Sequence, residues 1–347
     1  MTAALVTAAP TSLEELLARS GPAAVELSGA GQSAWNGNVV ETTGPPLGLA
    51  DWDGTLYLGR DHILDPLRHM YEHAGEERPV HVLERYREAL GTLLHEQAHF
   101  LGPADATQEA ARGAFTRPGA RQLEEGVAEA WAQNHLDEYL THLGLDKVAP
   151  GIKDVPANGY YPAFVPAVRI LTTDVEARND LRPGELLDAL NSQTAEGQFP
   201  LLLNAVYNST RLPSLDSPDQ AAETRFRLET LLREGLAQLD AFELLPSGGA
   251  AAHSRAFTGF LLNRIHTEIK AAESHHFPHP DACTLPPPTP TTTGRLVPNP
   301  LQTALSGLTP PTPTPATRAA ASSATPHPQT HTPRSHARGA SSRTSSP

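Results

Sequence analysis

Residues 95–99 read His95-Glu96-Gln97-Ala98-His99, at the end of a run whose apolar members, Leu83, Tyr86, Leu90, Leu93 and Leu94, recur with helical spacing. Residues four apart share one face of a helix, so both imidazoles can reach one metal ion while Glu96 stands beside them, towards a bound water. Two ligands from one helix leave a catalytic zinc ion one protein ligand short, and the fold has to bring the third from another element. At this composition such a pentapeptide arises by chance about 0.05 times per chain, so coincidence explains it poorly.

Composition narrows the remaining classes. Cys283 is the only cysteine, which excludes an internal disulfide and a thiolate zinc cluster and fits a reducing compartment. Five Arg and no acidic residue follow it, so the net charge of −13 leaves about −18 on the first 283 residues. A body of that sign does not seek phosphate, and no nucleic acid partner is expected. No apolar run is long enough to span a bilayer, and the first ten residues lack the basic leader and apolar stretch of a signal peptide. The expected location is cytoplasmic, with leaderless export open, without a membrane partner. Nothing in the composition sets an oligomeric state.

Along the chain, Ser12 and Glu15 are spaced as a capping box ahead of a short helix over 12–20. Residues 24–28, 38–43 and 55–59 carry β-branched or alternating apolar character with Gly and Asn-Gly between them, which predicts a small antiparallel meander. Helices are predicted over 61–73, from Pro79 to a stop at Gly102-Pro103, and over 120–143, 166–178, 183–191, 199–207, 220–239 and 254–272. Beyond Cys283 the sequence holds 14 of the 33 prolines and no aromatic residue. A segment that poor in buriable surface cannot offset its ordering entropy, so 284–347 is predicted to be a disordered tail rich in Pro, Thr and Ser.

The helix over 120–143 carries Glu124, Glu125 and Glu129 beside its apolar stripe of Leu123, Val127, Trp131 and Leu140. Glu125 and Glu129 share a face, so one can bind a metal while the other holds a ligand imidazole. With its His-Glu-x-x-His helix and Glu125-Gly126-Val127-Ala128, followed by an acid at 129, the stretch over roughly 50–145 resembles the gluzincin class of zinc metallopeptidases. The resemblance implies zinc held by His95, His99 and Glu125, with Glu129 behind a ligand histidine. Glu124 is the alternative third ligand. Residues His95 to Asp105 also read His-Glu-x-x-His-x-x-Gly-x-x-Asp, which resembles the metzincin helix with Asp105 as ligand. Metzincins place a Met beneath the metal downstream, and here the only Met residues are Met1 and Met70.

These ligands imply that Glu96 is the general base for a zinc-activated water. Members of the family often add a downstream Tyr or His as oxyanion donor; Tyr161, with its neighbour Tyr160, is the first candidate and His135 the next. In zincins a peptide commonly adds along the edge of the small sheet, and Thr55-Leu56-Tyr57-Leu58 is placed in order to be that edge. His275, His276, His279, Asp281 and Cys283 look metal-like but read as a solvated hinge.

The fold expected is thus α+β, a small antiparallel sheet packed on a zinc-bearing helix pair over 1–150, followed by a mainly helical portion over 151–283 that completes a cleft. The function expected is a zinc-dependent hydrolase of peptide bonds, acting on a peptide or protein substrate. The alternative is a helical binding or scaffold protein with a structural zinc site and no peptidase activity. Deleting 284–347 is expected to leave thermal stability and zinc content nearly unchanged, measured by melting and elemental analysis. A large fall in melting temperature would place the tail within the packed body.

Overall fold

Ser12 accepts the Glu15 amide at 3.2 Å and starts α1 (Leu13–Ser28), which ends at Gly29 in the left-handed region, φ 66°. This computed structural model describes residues 8–44 and 47–276. The strand expected over 24–28 is helix: Leu13, Leu16, Ser20, Ala23 and Ala24 keep one buried face through Pro22, and that long apolar face outweighs the local alternation of 24–28.

The sheet is mixed rather than an antiparallel meander. A tight turn at Asp51 to Gly54, closed by the Gly54 amide on the Asp51 carbonyl, folds β3 (Gly48–Ala50) antiparallel onto β4 (Leu56–Gly59). That occupies one edge of β4, so β2 (Val39–Thr42) takes the other and runs parallel to it, giving the order β2-β4-β3. Residues 56–58 therefore sit in the central strand and are not the edge expected of them; the edges of this sheet are β2 and β3. The two-residue β1 (Gln32–Ser33) pairs instead with β5 (Leu101–Gly102).

A π-helical turn, Arg60–Leu64, leads into α2 (Asp65–Glu72), and α3 (Val80–Ala98) follows Pro79. The last helical residue is Ala98, with His99 as C-cap. Gly102 is thus no helix stop; it lies in β5, where a β-carbon would come 2.8 Å from Thr194 Cγ2, so the close approach of the chain requires glycine. Then come α4 (Gln108–Phe115), α5 (Ala120–His142), α6 (Leu145–Val148), α7 (Val165–Arg178), α8 (Glu185–Asn191), α9 (Ala195–Asn208), α10 (Pro218–Ala237) and α11 (Ser247–His276). The described residues are thus mostly helical with a small sheet, a helical α+β fold, and none of their helices is long and apolar enough to cross a membrane.

α5 organises the core. It packs on α3 along one side and on α7 along another, and its Trp131 and Tyr139 are fully buried. Residues 151–276 are continuous with what precedes them: Ile152 and Phe164 are wholly inside the same apolar cluster as Leu90 and Leu93 of α3. At the far end, His275 and His276 finish α11, and His276 Nε2 meets Asp216 Oδ1 at 2.7 Å. His279, Asp281, Cys283 and the 284–347 segment lie outside the described residues.

Gly126 sets the spacing of α5 and α7. A β-carbon there would lie 2.6 Å from Val168 Cγ2 and 3.3 Å from Phe164 Cβ. Gly126→Ala is expected to force the helices apart and lower unfolding stability by about 1–3 kcal/mol, as overpacking in a dense core does. Urea denaturation at a fixed slope checks this. A midpoint equal to that of the parent chain would show that the interface has slack at this position.

Candidate metal centre

The end of α3 and the second turn of α5 face one another, and between them three donor atoms converge. His95 Nε2 and His99 Nε2 are 3.1 Å apart, and Glu125 Oε2 lies 3.6 Å from the first and 3.4 Å from the second. A tetrahedral zinc with bonds near 2.0–2.2 Å spaces its ligand atoms by about 3.3–3.5 Å, so this triangle is within a few tenths of an ångström of what such an ion needs.

The other two glutamates of α5 hold the imidazoles from behind. Glu129 Oε2 is 3.0 Å from His95 Nδ1, and Glu124 Oε1 is 2.7 Å from His99 Nδ1. Each ring thus presents Nε2 to the common point while its other nitrogen meets a carboxylate, which fixes tautomer and orientation. Glu124, weighed above as a third ligand, is turned to His99 instead, because on a helix positions 124 and 125 point about 100° apart. Glu129 is steadied by Gln133 Nε2 and the Tyr160 amide, both 2.8 Å from its Oε1.

Electrostatics favour a cation here. Glu96, Glu124, Glu125 and Glu129 are each no more than 6% exposed, and formally they outnumber the two imidazoles two to one. Burial opposes charge on both rings, yet the carboxylates prevail: Glu125 and Glu129 hold His95 well above the ordinary imidazole value, and Glu124 and Glu125 raise His99 to about 9. Burial likewise opposes charge on Glu125, but the two histidines hold it well below the usual carboxylate range. A cation entering the triangle displaces the ring protons, so its affinity weakens as pH falls.

Glu96 stands at the mouth of the cluster. Its Oε2 accepts the Ala50 amide of β3 at 2.9 Å, and a β-carbon on Gly48 would fall 2.6 Å from its Cγ. Glycine at 48 therefore lets the strand lie directly on the carboxylate. Tyr161 completes the wall: its ring stacks on His95 at 5.5 Å with 20° between planes and on Phe164 at 5.7 Å. Burial and the charges of Glu125 and Glu96 push its phenol well above the ordinary value, so it stays a protonated donor. Its φ of 52° is unusual for a bulky residue.

Other expected candidates lie elsewhere. His135 Nε2 meets Asp188 at 2.9 Å, away from the triangle, and Asp105 is exposed after β5 and outside it. Tyr160 contributes its backbone amide to Glu129. Arg121 was not anticipated: one turn before Glu125, it is clamped by Glu243 at 2.8 Å and Asp240 at 3.0 Å, and its charge acts on Glu125. The i to i+4 spacing from Arg121 to Glu125 was the available signal. No protein-family model, curated protein or solved structure matches this chain.

Competition with a calibrated chelator should show that Glu125→Ala weakens zinc binding at least about tenfold, and that Glu124→Gln and Glu129→Gln weaken it about tenfold each through the rings they hold. Asp105→Ala should leave the affinity unchanged. If Asp105→Ala removes the ion and Glu125→Ala does not, the triangle is not the metal site.

Proposed function

We propose that this chain is a zinc-dependent peptidase of the gluzincin kind, with His95, His99 and Glu125 as ligands and Glu96 as general base. The observation that supports it most is the carboxylate of Glu96 at the opening of a triangle already spaced for tetrahedral coordination. Zinc, when bound there, supplies Lewis-acid polarisation of a carbonyl and a water of lowered pKa.

The chain's own groups divide the remaining work. Glu96, steadied by the Ala50 amide, takes a proton from water and returns it to the leaving nitrogen of the peptide bond. Tyr161 is the donor best placed to face a developing oxyanion, its hydroxyl kept protonated by burial beside Glu125 and Glu96. The extended substrate is expected along β3. Leu49 is paired with Tyr57, so by the alternation of an antiparallel ladder the backbone groups of Gly48 and Ala50 turn to the opposite edge, where Glu96 lies.

A scaffold with a structural zinc site needs no base, and a closed site would spend its fourth position on a protein ligand. Glu96 is instead held by β3, off the triangle, and that favours catalysis. Glu96→Gln is expected to keep the fold and one zinc per chain but to lose about 10²–10⁴-fold in turnover, since the amide cannot accept the proton. The assay is digestion of a peptide library alongside elemental analysis. Undiminished turnover with zinc retained would remove Glu96 from the mechanism.

A further inference from the structure

The histidine pair of α3 has a counterpart at the end of α2. Residues 69–73 read His69-Met70-Tyr71-Glu72-His73, two histidines at the same spacing of four, with the glutamate moved next to the second. His69 lies in the last turn of the helix and His73 is its C-cap. Met70 points inwards and is 1% exposed, whereas His69 is exposed and His73 half-buried beside it.

The two imidazoles already stand together. Their ring centroids are 4.5 Å apart, against 4.7 Å for His95 and His99, whose Nε2 atoms converge to 3.1 Å. Each ring also has an oxygen at its other nitrogen. Tyr86 Oη of α3 meets His69 Nδ1, and Glu76 Oε2, itself paired with Arg78, lies 3.5 Å from His73 Nδ1. A hydroxyl and a carboxylate can both accept from Nδ1–H, and that tautomer leaves Nε2 a lone pair for an ion. Glu129 and Glu124 do the same for the buried pair, and such partners orient a ligand imidazole.

What α2 lacks is a third protein ligand. Among the described residues, His95, His99 and Glu125 are the only three ligand atoms gathered closely enough to share an ion. With two nitrogens as its protein donors, the α2 pair suits Ni2+, Cu2+ or Zn2+, whereas Mg2+ and Ca2+ take oxygen donors. The two pairs do not form one two-metal centre. Tyr86 precedes His95 by nine residues of α3, about 13 Å of helix rise, and the ions of such a centre sit about 3.5–4 Å apart.

From this geometry we propose that His69 and His73 form a second metal site, which takes one divalent transition-metal ion through two Nε2 atoms, with water completing its coordination. Tyr86 and Glu76 hold the rings from behind. Exposed, and with one protein ligand fewer, this site binds more weakly and exchanges faster than the buried triangle. It stands apart from the peptidase reading, since no residue of it belongs to that site.

The test is calorimetric titration with Ni2+ of the full chain, loaded with zinc and freed of excess, for the parent, His69→Ala, His73→Ala and His95→Ala. Alanine at the two surface positions leaves the core untouched, and thermal melting checks that each variant is folded. The expected result is a Ni2+ equivalent in the parent that weakens about tenfold or more in His69→Ala and in His73→Ala alike and persists in His95→Ala. No Ni2+ bound by the parent, or an isotherm unchanged in both surface variants, overturns the site. So does a Ni2+ equivalent lost in His95→Ala alone, which would place the ion in the triangle. Elemental analysis of zinc in the same samples tests the triangle separately, so failure of one site is distinguished from failure of the other.

Discussion

Four buried glutamates set against two buried histidines are the constraint on which the rest of the structure depends. Burying uncompensated charge is so unfavourable that such a group persists only when every member has a partner or an ion. The carboxylates that meet the two imidazoles all come from α5, which holds α3 and α5 in one register: His95 opposite Glu125 and Glu129, His99 opposite Glu124 and Glu125. A slip of one residue on α5 would turn Glu125 about 100° from the triangle. The apolar contacts of the pair, Leu90 and Leu93 with Val127 and Trp131 in one core, supply the stability that makes this polar register tolerable.

The same register decides what else packs where. With one face of α5 given to α3, α7 fits closely against α5 at Gly126, and its leading loop is drawn over His95. The sheet lies on α3, with β3 on Glu96 through a glycine that leaves no room for a side chain. Arg121, clamped between α5 and the turn after α10, adds the positive charge that buried Glu125 would otherwise meet only in its histidines.

Much of this was legible in the chain. Helix positions followed from apolar spacing and from punctuation by Pro and Gly, and α5, expected over 120–143, is observed as Ala120–His142. His95 and His99 could be named because local helical spacing alone puts them together; Glu125 rested on the resemblance of Glu125-Gly126-Val127-Ala128 to a known pattern, with Glu124 an open alternative, and it is the position of α3 that turns Glu124 to His99 instead. The failures share a cause: they depend on contacts distant in sequence. The parallel pairing of β2 follows from the turn at Asp51 to Gly54 claiming one side of β4, and the helix over 24–28 follows from a buried face that begins at Leu13. Gly102 looked like a cap because its neighbour is Pro103; only the approach of Thr194, ninety-two residues on, shows why it is glycine.

The loop between α6 and α7 meets the cluster twice, through the Tyr160 amide on Glu129 and the Tyr161 ring on His95, and it holds Tyr161 at a backbone angle that costs about 1 kcal/mol or more. Its order and the affinity of the triangle for an ion are therefore linked quantities. Whatever factor the ordered loop adds to ion binding, the ion returns to the ordering of the loop, by thermodynamic reciprocity. The loop continues directly into α7, and α7 packs on α11. The loop that walls the cluster is therefore anchored at its far end, through α7, to α11.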